Sequence, residues 1–473
     1  MADKQKNAQD VKINDLSMRS ALGKVDLTPF LLELTIEENL FKPGLVGNIV
    51  LSDSYNIPEK FPVVGEETLD IDISLQAVDS SAKDTFHTIK PPPMHVNNLN
   101  TRYFTAPKAQ RFTLDLFSEQ FMSSTHSKIS RSYRNQKISN IVADIYYEYL
   151  SDGRSIDIEP TARLETLIIP NMRPIAAIMW LANRANADES SAINYVYYET
   201  IDGMNFKSID SLVDEEPVFT YQYIQRSGDA SGVENLARGI QRIDSLYYLK
   251  QFDKIQNSYN GAYASKLITH DIVRKKITQY DFSAYDNFFG LNHVGSFPIL
   301  SASEMEIKSA SVPRVSYAPQ DEENSYPITT EKDLPHMVDS LVEFYPKHNQ
   351  MYSQNVGDLY DNKVEDWKLQ RKAQLSAYEN ITLLLEVAGN SFLRVGHTVQ
   401  VNIPTPESTE GDKKSDILYD KFLSGIYMVT AIKHMFQKFE AKDNKISYIM
   451  KIEITKDALE EAVINRPIRE KEN

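Results

Sequence analysis

The segment from Leu167 to Gly203 constrains the fold of this chain more than any other part of the sequence. It is typical of a buried strand, a proline-bounded turn, an amphipathic helix and a second strand that begins at Tyr195. Pro174 suits the first turn of a helix, because its missing N–H group would have no partner within the helix there. Apolar side chains then recur at helical spacing and predict one buried face: Ile175, Ile178, Met179 and Ala182. The segment therefore predicts a helix packed on a sheet.

Strand signals on both sides of this unit predict a mainly β protein. The run from Leu69 to Leu75 alternates strictly, which places Asp70 and Asp72 on the solvent face of a strand. Short strands punctuated by Pro and Gly over the first hundred or so residues are typical of a small sandwich or barrel. Pro91 to Pro93 interrupt that pattern and indicate an edge or a loop. Further strands are expected at 155–159, 218–224, 381–387, 399–403, 427–432 and 446–454.

Two further helices are predicted. One has an apolar stripe and Asn135 as a possible N-terminal cap; the stripe consists of Ile138, Ile141, Val142, Ile145 and Tyr149. The other covers Val364 to Tyr378, where good helix formers predominate. Residues 313–335 are rich in proline and acidic residues and are interpreted as an exposed connection.

Composition excludes several classes of protein. The net charge is −15, and no dense run of Lys and Arg supplies the basic surface that sequence-independent nucleic-acid binding requires. The absence of cysteine excludes disulfides, thiolate zinc sites and cysteine nucleophiles. No signal peptide or membrane-spanning run is evident, so we expect a soluble protein made in the cytoplasm. The 26 tyrosines suit an assembly protein or a β-rich monomer, because tyrosine is favoured both at subunit interfaces and in strands.

No residue pattern predicts a catalytic, cofactor-binding or metal-binding site. The sequence contains no nucleophile elbow, phosphate-binding glycine loop or His-Glu-x-x-His pair. The nine histidines are scattered, and the closest pair, His87 and His95, is separated by three prolines. We therefore expect no catalytic, cofactor-binding or metal-binding residues. The remaining candidates are interpreted as surface charges or, for the tryptophans, as core anchors: Asp70, Asp72, Asp412, Asp416, Asp420, Trp180 and Trp367.

Four blocks in this order resemble the baseplate hub proteins of contractile-tailed phages, a family that includes the central hub of T-even phages and the hub half of type VI secretion spike proteins. The blocks are Leu167 to Gly203, Asn260 to Asp271, Arg371 to Gly396, and Leu423 to His434. Together they cover a resemblance from about residue 15 to 460. The resemblance implies a virion structural protein of the tail baseplate, assembled in the host cytoplasm, and not an enzyme.

The resemblance also implies a division into domains. We expect an α+β, mainly β chain with two small tube-type β-barrels, an inserted α+β domain and a further inserted segment. The expected bounds are a flexible N-terminus at 1–14, a first barrel at 15–122, the α+β domain at 123–217, a second barrel at 218–285 plus 376–458, an insert with a linker and a helix at 286–375, and a tail at 459–473.

The function implied by the resemblance is a trimeric ring that joins the six-fold tail tube to the three-fold spike and lets DNA pass. The expected partners are two further copies of the chain, a separate spike protein, tube or tube-initiator proteins, wedge proteins, and the tape-measure protein and DNA in the lumen. An acidic lumen would keep DNA from adhering. Two alternatives remain: a tail-associated peptidoglycan hydrolase, whose two carboxylates could come from distant positions, and a carbohydrate-binding tail module.

Overall fold

The structure is a computed structural model, and it describes residues 10–75, 88–188, 192–223, 239–251, 253–272, 275–288, 290–299, 341–346, 364–405, 419–438 and 446–460. Within these residues the chain is built around one 14-stranded sheet, with four smaller sheets beside it. The predicted α+β, mainly β fold class is confirmed. None of the described helices is long and apolar enough to cross a membrane.

The first eight strands form about half of the large sheet. They are β1 (Asp10–Ser20), β2 (Gly23–Asp26), β3 (Leu31–Asn39), β4 (Val46–Asp53), β5 (Thr68–Leu75), β6 (Thr88–Ile89), β7 (Met94–Ala106) and β8 (Ala109–Ser118), with a short helix α1 (Ile57–Lys60) between β4 and β5. The alternation predicted for β5 is observed, because Leu69, Ile71 and Ile73 are buried while Asp70 and Asp72 are partly exposed. The residues around Pro91 to Pro93 lie between β6 and β7 and outside both strands.

A compact α+β unit follows. Its elements are α2 (Glu119–His126), β9 (Ile129–Lys137), α3 (Ile138–Ile145), a π-helical turn (Tyr146–Leu150), β10 (Ile156–Ile158), β11 (Leu164–Met172), α4 (Pro174–Ala182), β12 (Tyr195–Thr200), β13 (Gly203–Ser208) and α5 (Ile209–Val213). The elements before α5 share a core of their own, in which Ile141, Ile145 and Ile178 are fully buried, whereas Ile209 and Leu212 of α5 belong to the core of the large sheet.

Two details of this unit differ from the sequence-based expectation. Met179 is 40% exposed, because the buried face of α4 is centred on Ala177, Ile178 and Leu181 and not on the stripe through Met179. Asn135 does not cap α3; it lies within β9 in a left-handed conformation, and Lys137 occupies the cap position. The helical periodicity was therefore informative about the helices themselves, whereas neither the exact face of α4 nor the cap of α3 could be deduced from spacing.

The rest of the described chain adds further strands and helices. They are β14 (Phe219–Gln222), β15 (Ile243–Gln251), α6 (Lys254–Tyr259), β16 (Ala264–Asp271), β17 (Lys276–Ser283), α7 (Ala284–Phe288), β18 (Phe297–Pro298), β19 (Val342–Pro346), α8 (Val364–Tyr378), β20 (Ile381–Ala388), β21 (Thr398–Asn402), β22 (Gly425–Lys438), β23 (Ile446–Lys456) and β24 (Ala458–Leu459). Helix α8 has the bounds that its composition predicted.

Strand pairing in the large sheet closes two circuits that share one hairpin. The first runs β22–β3–β4–β8–β7–β5–β1–β23 and closes because β22 and β23 also pair with each other. The second runs β14–β21–β22–β23–β20–β15, and a bridge between Gln222 and Arg242 brings its two ends together. The long hairpin β22–β23 therefore belongs to both circuits. One continuous hydrophobic core contains residues from both of them.

Candidate assembly site

In the described part of the structure, the carboxylates and histidines considered as catalytic or metal-binding candidates do not lie close together. Among them, no group of three or more His, Asp or Glu side chains is placed to hold a metal ion. Asp70 pairs with Arg19 at 2.5 Å and Asp72 accepts a hydrogen bond from Asn14 at 2.8 Å, so the two carboxylates make separate surface contacts. Asp420 accepts hydrogen bonds from two backbone N–H groups of its own turn. His87, Asp412 and Asp416 lie outside the described residues.

The interpretation of Trp180 as a core anchor is only partly correct. Its ring packs against the core of the α+β unit but remains partly exposed, and the Arg184 guanidinium carbon lies 3.7 Å from the ring centroid. A cation over an indole face in this geometry is favourable. Trp367 is likewise only partly buried, beside the small cluster formed by Leu267, Val364 and Leu369.

The most distinctive polar arrangement is a buried carboxylate, Glu38, where the two circuits meet the α+β unit. Alternation along β3 places Glu38 on the same face as the buried Leu34 and Ile36, so its side chain points inward. Its two oxygens accept hydrogen bonds from the backbone N–H groups of Ile201, at 3.1 Å, and Val395, at 3.3 Å. One carboxylate thus joins β3, the turn after β12 and the loop before β21.

Two further side chains complete this junction. Arg394 has its Nε atom 3.9 Å from Glu38 and 2.7 Å from Asp202, and it also donates to the carbonyl oxygens of Ser391 and Leu393. Burial lowers the pKa of Arg394, but Glu38 and Asp202 outweigh it and the net pKa is raised. An unpaired buried charge is costly, so this multiple pairing is what makes the arrangement stable.

His434 connects the same junction to the shared hairpin. It lies on β22 and is fully buried; its Nε2 atom is 3.4 Å from Glu38 and its Nδ1 atom is 2.8 Å from the hydroxyl of Tyr448 on β23. The rings of Tyr448 and Phe436 stack at 4.6 Å. Backbone pairing holds the hairpin that belongs to both circuits against β3, and the His434 ring lies beside Glu38 without a hydrogen bond from Nε2 among the described residues.

A second buried carboxylate fixes the α+β unit to the first circuit. Glu199, on β12, has no exposed side-chain surface; it pairs with Arg154 and accepts a hydrogen bond from the backbone N–H of Leu45 at 3.1 Å. Burial raises the pKa of Glu199, and Arg154 opposes that shift. Leu45 precedes β4 directly, so this contact holds the loop between β3 and β4 against the α+β unit.

A third contact joins α8 to the same unit. The Arg371 guanidinium donates to the carbonyl oxygens of Ile193 and Tyr195, each at 3.1 Å, and to that of Ala182 at 3.4 Å. Burial lowers the pKa of Arg371 to about 10. Ala182 is the last residue of α4, so Arg371 supplies a cation where the carbonyl end of a helix favours one.

Glu38, Glu199, Arg371 and Arg394 are not among the residues that the sequence patterns indicated. Glu199 stands inside the otherwise uncharged run from Tyr195 to Ile201, and such an interruption is the one sequence signal that could have indicated it. The contacts nevertheless connect three of the four resembling blocks. Arg371 and Arg394 come from the third block, their partners Tyr195 and Asp202 from the first, and His434 from the fourth.

The surface offers an edge strand and a protruding hairpin for contacts between molecules. Among the described residues β15 pairs along its length only with β20, and it carries three consecutive side chains that are about half exposed: Tyr247, Tyr248 and Leu249. At the tip of the β7–β8 hairpin, Phe104 is 78% exposed. Unpaired strand edges and exposed aromatic side chains are typical of surfaces that another chain covers.

Over most of its length the chain is similar to a curated phage protein. No known family profile matches the chain. The chain is 21% identical over 421 residues to a probable baseplate hub protein of Vibrio phage KVP40, and the match covers 88% of this chain and 87% of that protein.

Two solved structures have a similar fold. A tail protein from Neisseria meningitidis MC58 gives a TM-score of 0.50 at 10% identity, over 94% of this chain and 96% of that one. The 43 kDa tail protein of prophage MuSo2 from Shewanella oneidensis gives a TM-score of 0.50 at 8% identity, over 94% of this chain and 99% of that one. The predicted resemblance is thus confirmed: along most of its length this chain is similar to a phage baseplate hub protein, and it shares the fold of phage-type tail proteins.

Proposed function

We propose that this protein is a non-enzymatic structural component of a phage tail baseplate, where three copies form the hub ring. The observation that carries the proposal is the similarity to a probable baseplate hub protein over 88% of the chain. The buried junction of Glu38, Arg394 and His434 supports it, because it holds two strand circuits in one orientation. A ring subunit needs such a fixed internal geometry, since small rotations within each subunit would prevent the ring from closing.

Within this proposal the two strand circuits correspond to the two tube-type barrels, so that three copies would present six of them. Such a ring would match a six-fold tail tube on one side and a three-fold spike on the other, with DNA passing through the centre. The edge of β15 is a candidate contact between copies, because pairing with a neighbouring chain would satisfy its open backbone groups. The proposed partners are the spike, the tube or tube-initiator proteins, the wedge proteins and the tape-measure protein. The proposed location is the virion baseplate.

Light scattering over a series of protein concentrations tests the ring. One chain has a mass of 54.0 kDa, so a trimer is expected at about 162 kDa. A molar mass of 54.0 kDa at every concentration would contradict a trimer that forms without other proteins. Incubation with a purified cell-wall suspension tests the non-enzymatic role: clearing of the suspension would favour the peptidoglycan hydrolase instead.

A further inference from the structure

The segment 290–299 contacts two separate parts of the protein. On one side, the backbone N–H of Asn292 donates to the Asp210 carboxylate of α5 at 2.7 Å. On the other side, β18 pairs with β24, and the backbone N–H of Val294 donates to the Asp457 carboxylate at 3.1 Å. Val294 is 5% exposed and belongs to the core of the large sheet. We name residues 290–299 the strap, because they connect α5 with the end of β23.

Both ring nitrogens of His293, in the strap, lie against acceptors. Nδ1 is 2.6 Å from a carboxylate oxygen of Asp457, and Nε2 is 2.8 Å from the backbone carbonyl oxygen of Phe288 on α7. A neutral imidazole has one N–H group, so one of its nitrogens would face an acceptor without a hydrogen between them. A protonated ring donates to both acceptors. Since Asp457 also accepts from Val294, as an ionised carboxylate does, this geometry fits the imidazolium form of His293.

The pair is nearly closed to water, and two carboxylates face the ring. The side chains of His293 and Asp457 are 10% and 2% exposed. From α5, Asp210 places a second negative charge near His293, and from α8 the Tyr378 hydroxyl lies at Asp457. Tyr263 lines the same small cavity as His293. Tyrosine is neutral near neutral pH, so the charged groups that face His293 among the described residues are Asp457 and Asp210.

These contacts determine the sign of the pH dependence. Burial would lower the pKa of His293, but the hydrogen bonds to Asp457 and the Phe288 carbonyl, together with the charge of the two carboxylates, outweigh it, and the net pKa is raised above 6.5. In an open strap the ring has its ordinary pKa, so the closed strap binds the proton more tightly. While Asp457 is ionised, the contribution of the pair to closure is therefore complete below pH 6.5 and is lost as the pH rises through the raised pKa.

We propose that His293 and Asp457 form a pH-dependent latch, which holds the strap closed while the His293 ring is protonated and loosens it when the proton is lost. Loosening would release α5 from the end of β23 and uncover Val294 and the paired edge of β24. The core contact of Val294 opposes opening at every pH, so the latch changes how often the strap opens and not the fold. This inference does not depend on the proposed function.

Hydrogen exchange measured by mass spectrometry on the full-length protein tests the latch. The measured quantity is the protection factor, the exchange rate of the unfolded chain divided by that of the folded chain at the same pH, which removes the direct effect of pH on exchange. From about pH 6 to about pH 9, protection of a peptide that covers the strap should fall at least about threefold more than that of a peptide from β20. An equal change in both peptides of the wild type would overturn the proposal, and that measurement requires no variant.

A matched pair of variants assigns the titration to one residue. His293→Gln cannot become a cation, so protection of its strap should change with pH only as much as that of β20. Asp210→Asn alters the other carboxylate that the strap contacts; it should lower protection of the strap at each pH but retain the pH-dependent fall. A fall of wild-type size in His293→Gln, or loss of the fall in Asp210→Asn alone, would overturn the latch, provided that circular dichroism shows both variants folded.

Nuclear magnetic resonance of protein with carbon-13-labelled histidine measures the protonation directly. The His293 signal is the one absent from spectra of His293→Gln, and its titration midpoint should lie above pH 6.5. Asp457→Asn should shift that midpoint downwards, because the ring loses its anionic partner. His126→Gln, which alters an exposed histidine of α2, should leave the midpoint unchanged. A wild-type midpoint at or below pH 6.5 would contradict the latch.

Discussion

Arg371 Nη2 lies 3.1 Å from the carbonyl oxygen of Tyr195, and this contact joins two segments that are 176 residues apart in the sequence. Arg371 is on α8, whereas Tyr195 begins β12 of the α+β unit. The same guanidinium reaches the carbonyl oxygens of Ile193 and Ala182. Three backbone acceptors from the α+β unit therefore depend on one side chain from a distant helix.

Removal of this side chain should destabilise the protein. Arg371→Met retains an apolar stem but leaves three carbonyl groups without their donor, and we expect a loss of about 2 kcal/mol in the free energy of unfolding. Urea denaturation measures it. Lys372→Met is the matched control, because Lys372 is one position along the same helix and forms a partly exposed pair with Glu343 that should contribute little. An equal loss in both variants would contradict the role assigned to Arg371.

The buried pair of Glu199 and Arg154 should behave as a coupled unit. Arg154→Met leaves the Glu199 carboxylate buried without its cation, and we expect a loss of about 3 kcal/mol in the free energy of unfolding. The double variant Arg154→Met/Glu199→Gln should lose clearly less than the sum of the single losses, because Glu199 no longer carries a buried charge; the loss of the Arg154 contact with Asp152 is common to the single and the double variant. A double-mutant cycle by urea denaturation measures the coupling, and additive losses would contradict it.

The local sequence pattern was sufficient to predict many secondary-structure elements of this fold. Strict alternation predicted β5, and the composition of 364–378 predicted α8, because in both segments local preference and tertiary environment favour the same structure. The Asn260-Gly261 pair illustrates the opposite situation. Gly261 has φ +72° after α6, and a Cβ atom there would lie 2.6 Å from Leu341, which is 80 residues further along the chain. The positive φ after a helix is a local reason for that glycine, whereas the close approach of Leu341 is a distant one that no local pattern could reveal.

The buried junction could not be predicted for the same reason. Glu38, Arg394 and His434, and the exposed Asp202 that pairs with Arg394, come from four separate segments, and none of them has spacing that suggests a partner. Closure of the first circuit by the β22–β23 hairpin likewise depends on strands that are about 400 residues apart. The resemblance indicated the kind of protein, whereas the contacts that fix its geometry arise only in the tertiary structure.

The α4 helix allows a comparison of two neighbouring core positions. Ile178 is completely buried, whereas Trp180 is partly exposed beneath Arg184. Ile178→Asp should prevent folding of the α+β unit, because it places an unpaired charge in the core. Trp180→Asp should cost only about 1–2 kcal/mol, since the new carboxylate can reach water and Arg184. Thermal denaturation distinguishes the two variants. A greater loss of stability in Trp180→Asp than in Ile178→Asp would mean that the tryptophan is the principal anchor.

The raised pKa of the Glu165 carboxyl predicts how the free energy of unfolding depends on pH. Its side chain is nearly buried on β11, and burial raises its pKa from 4.5 to about 7 against the opposing effect of Arg184 and Arg163. Between these two pKa values the folded state holds a proton that the unfolded state has released. The free energy of unfolding should therefore fall as the pH rises from about 4.5 to about 7, with a total contribution of about 3 kcal/mol.

Glu165→Gln removes this titration and keeps the shape of the side chain. Relative to the wild type, the variant should gain stability progressively as the pH rises from 5 to 8, because only the wild type then carries a buried charge. Urea denaturation at intervals of one pH unit measures the difference. Glu148→Gln, which alters an exposed carboxylate of the same unit, is the control and should leave the pH dependence as in the wild type. If the Glu165→Gln curve runs parallel to that of the wild type, Glu165 is already ionised in the folded protein at pH 5, and burial does not control its charge.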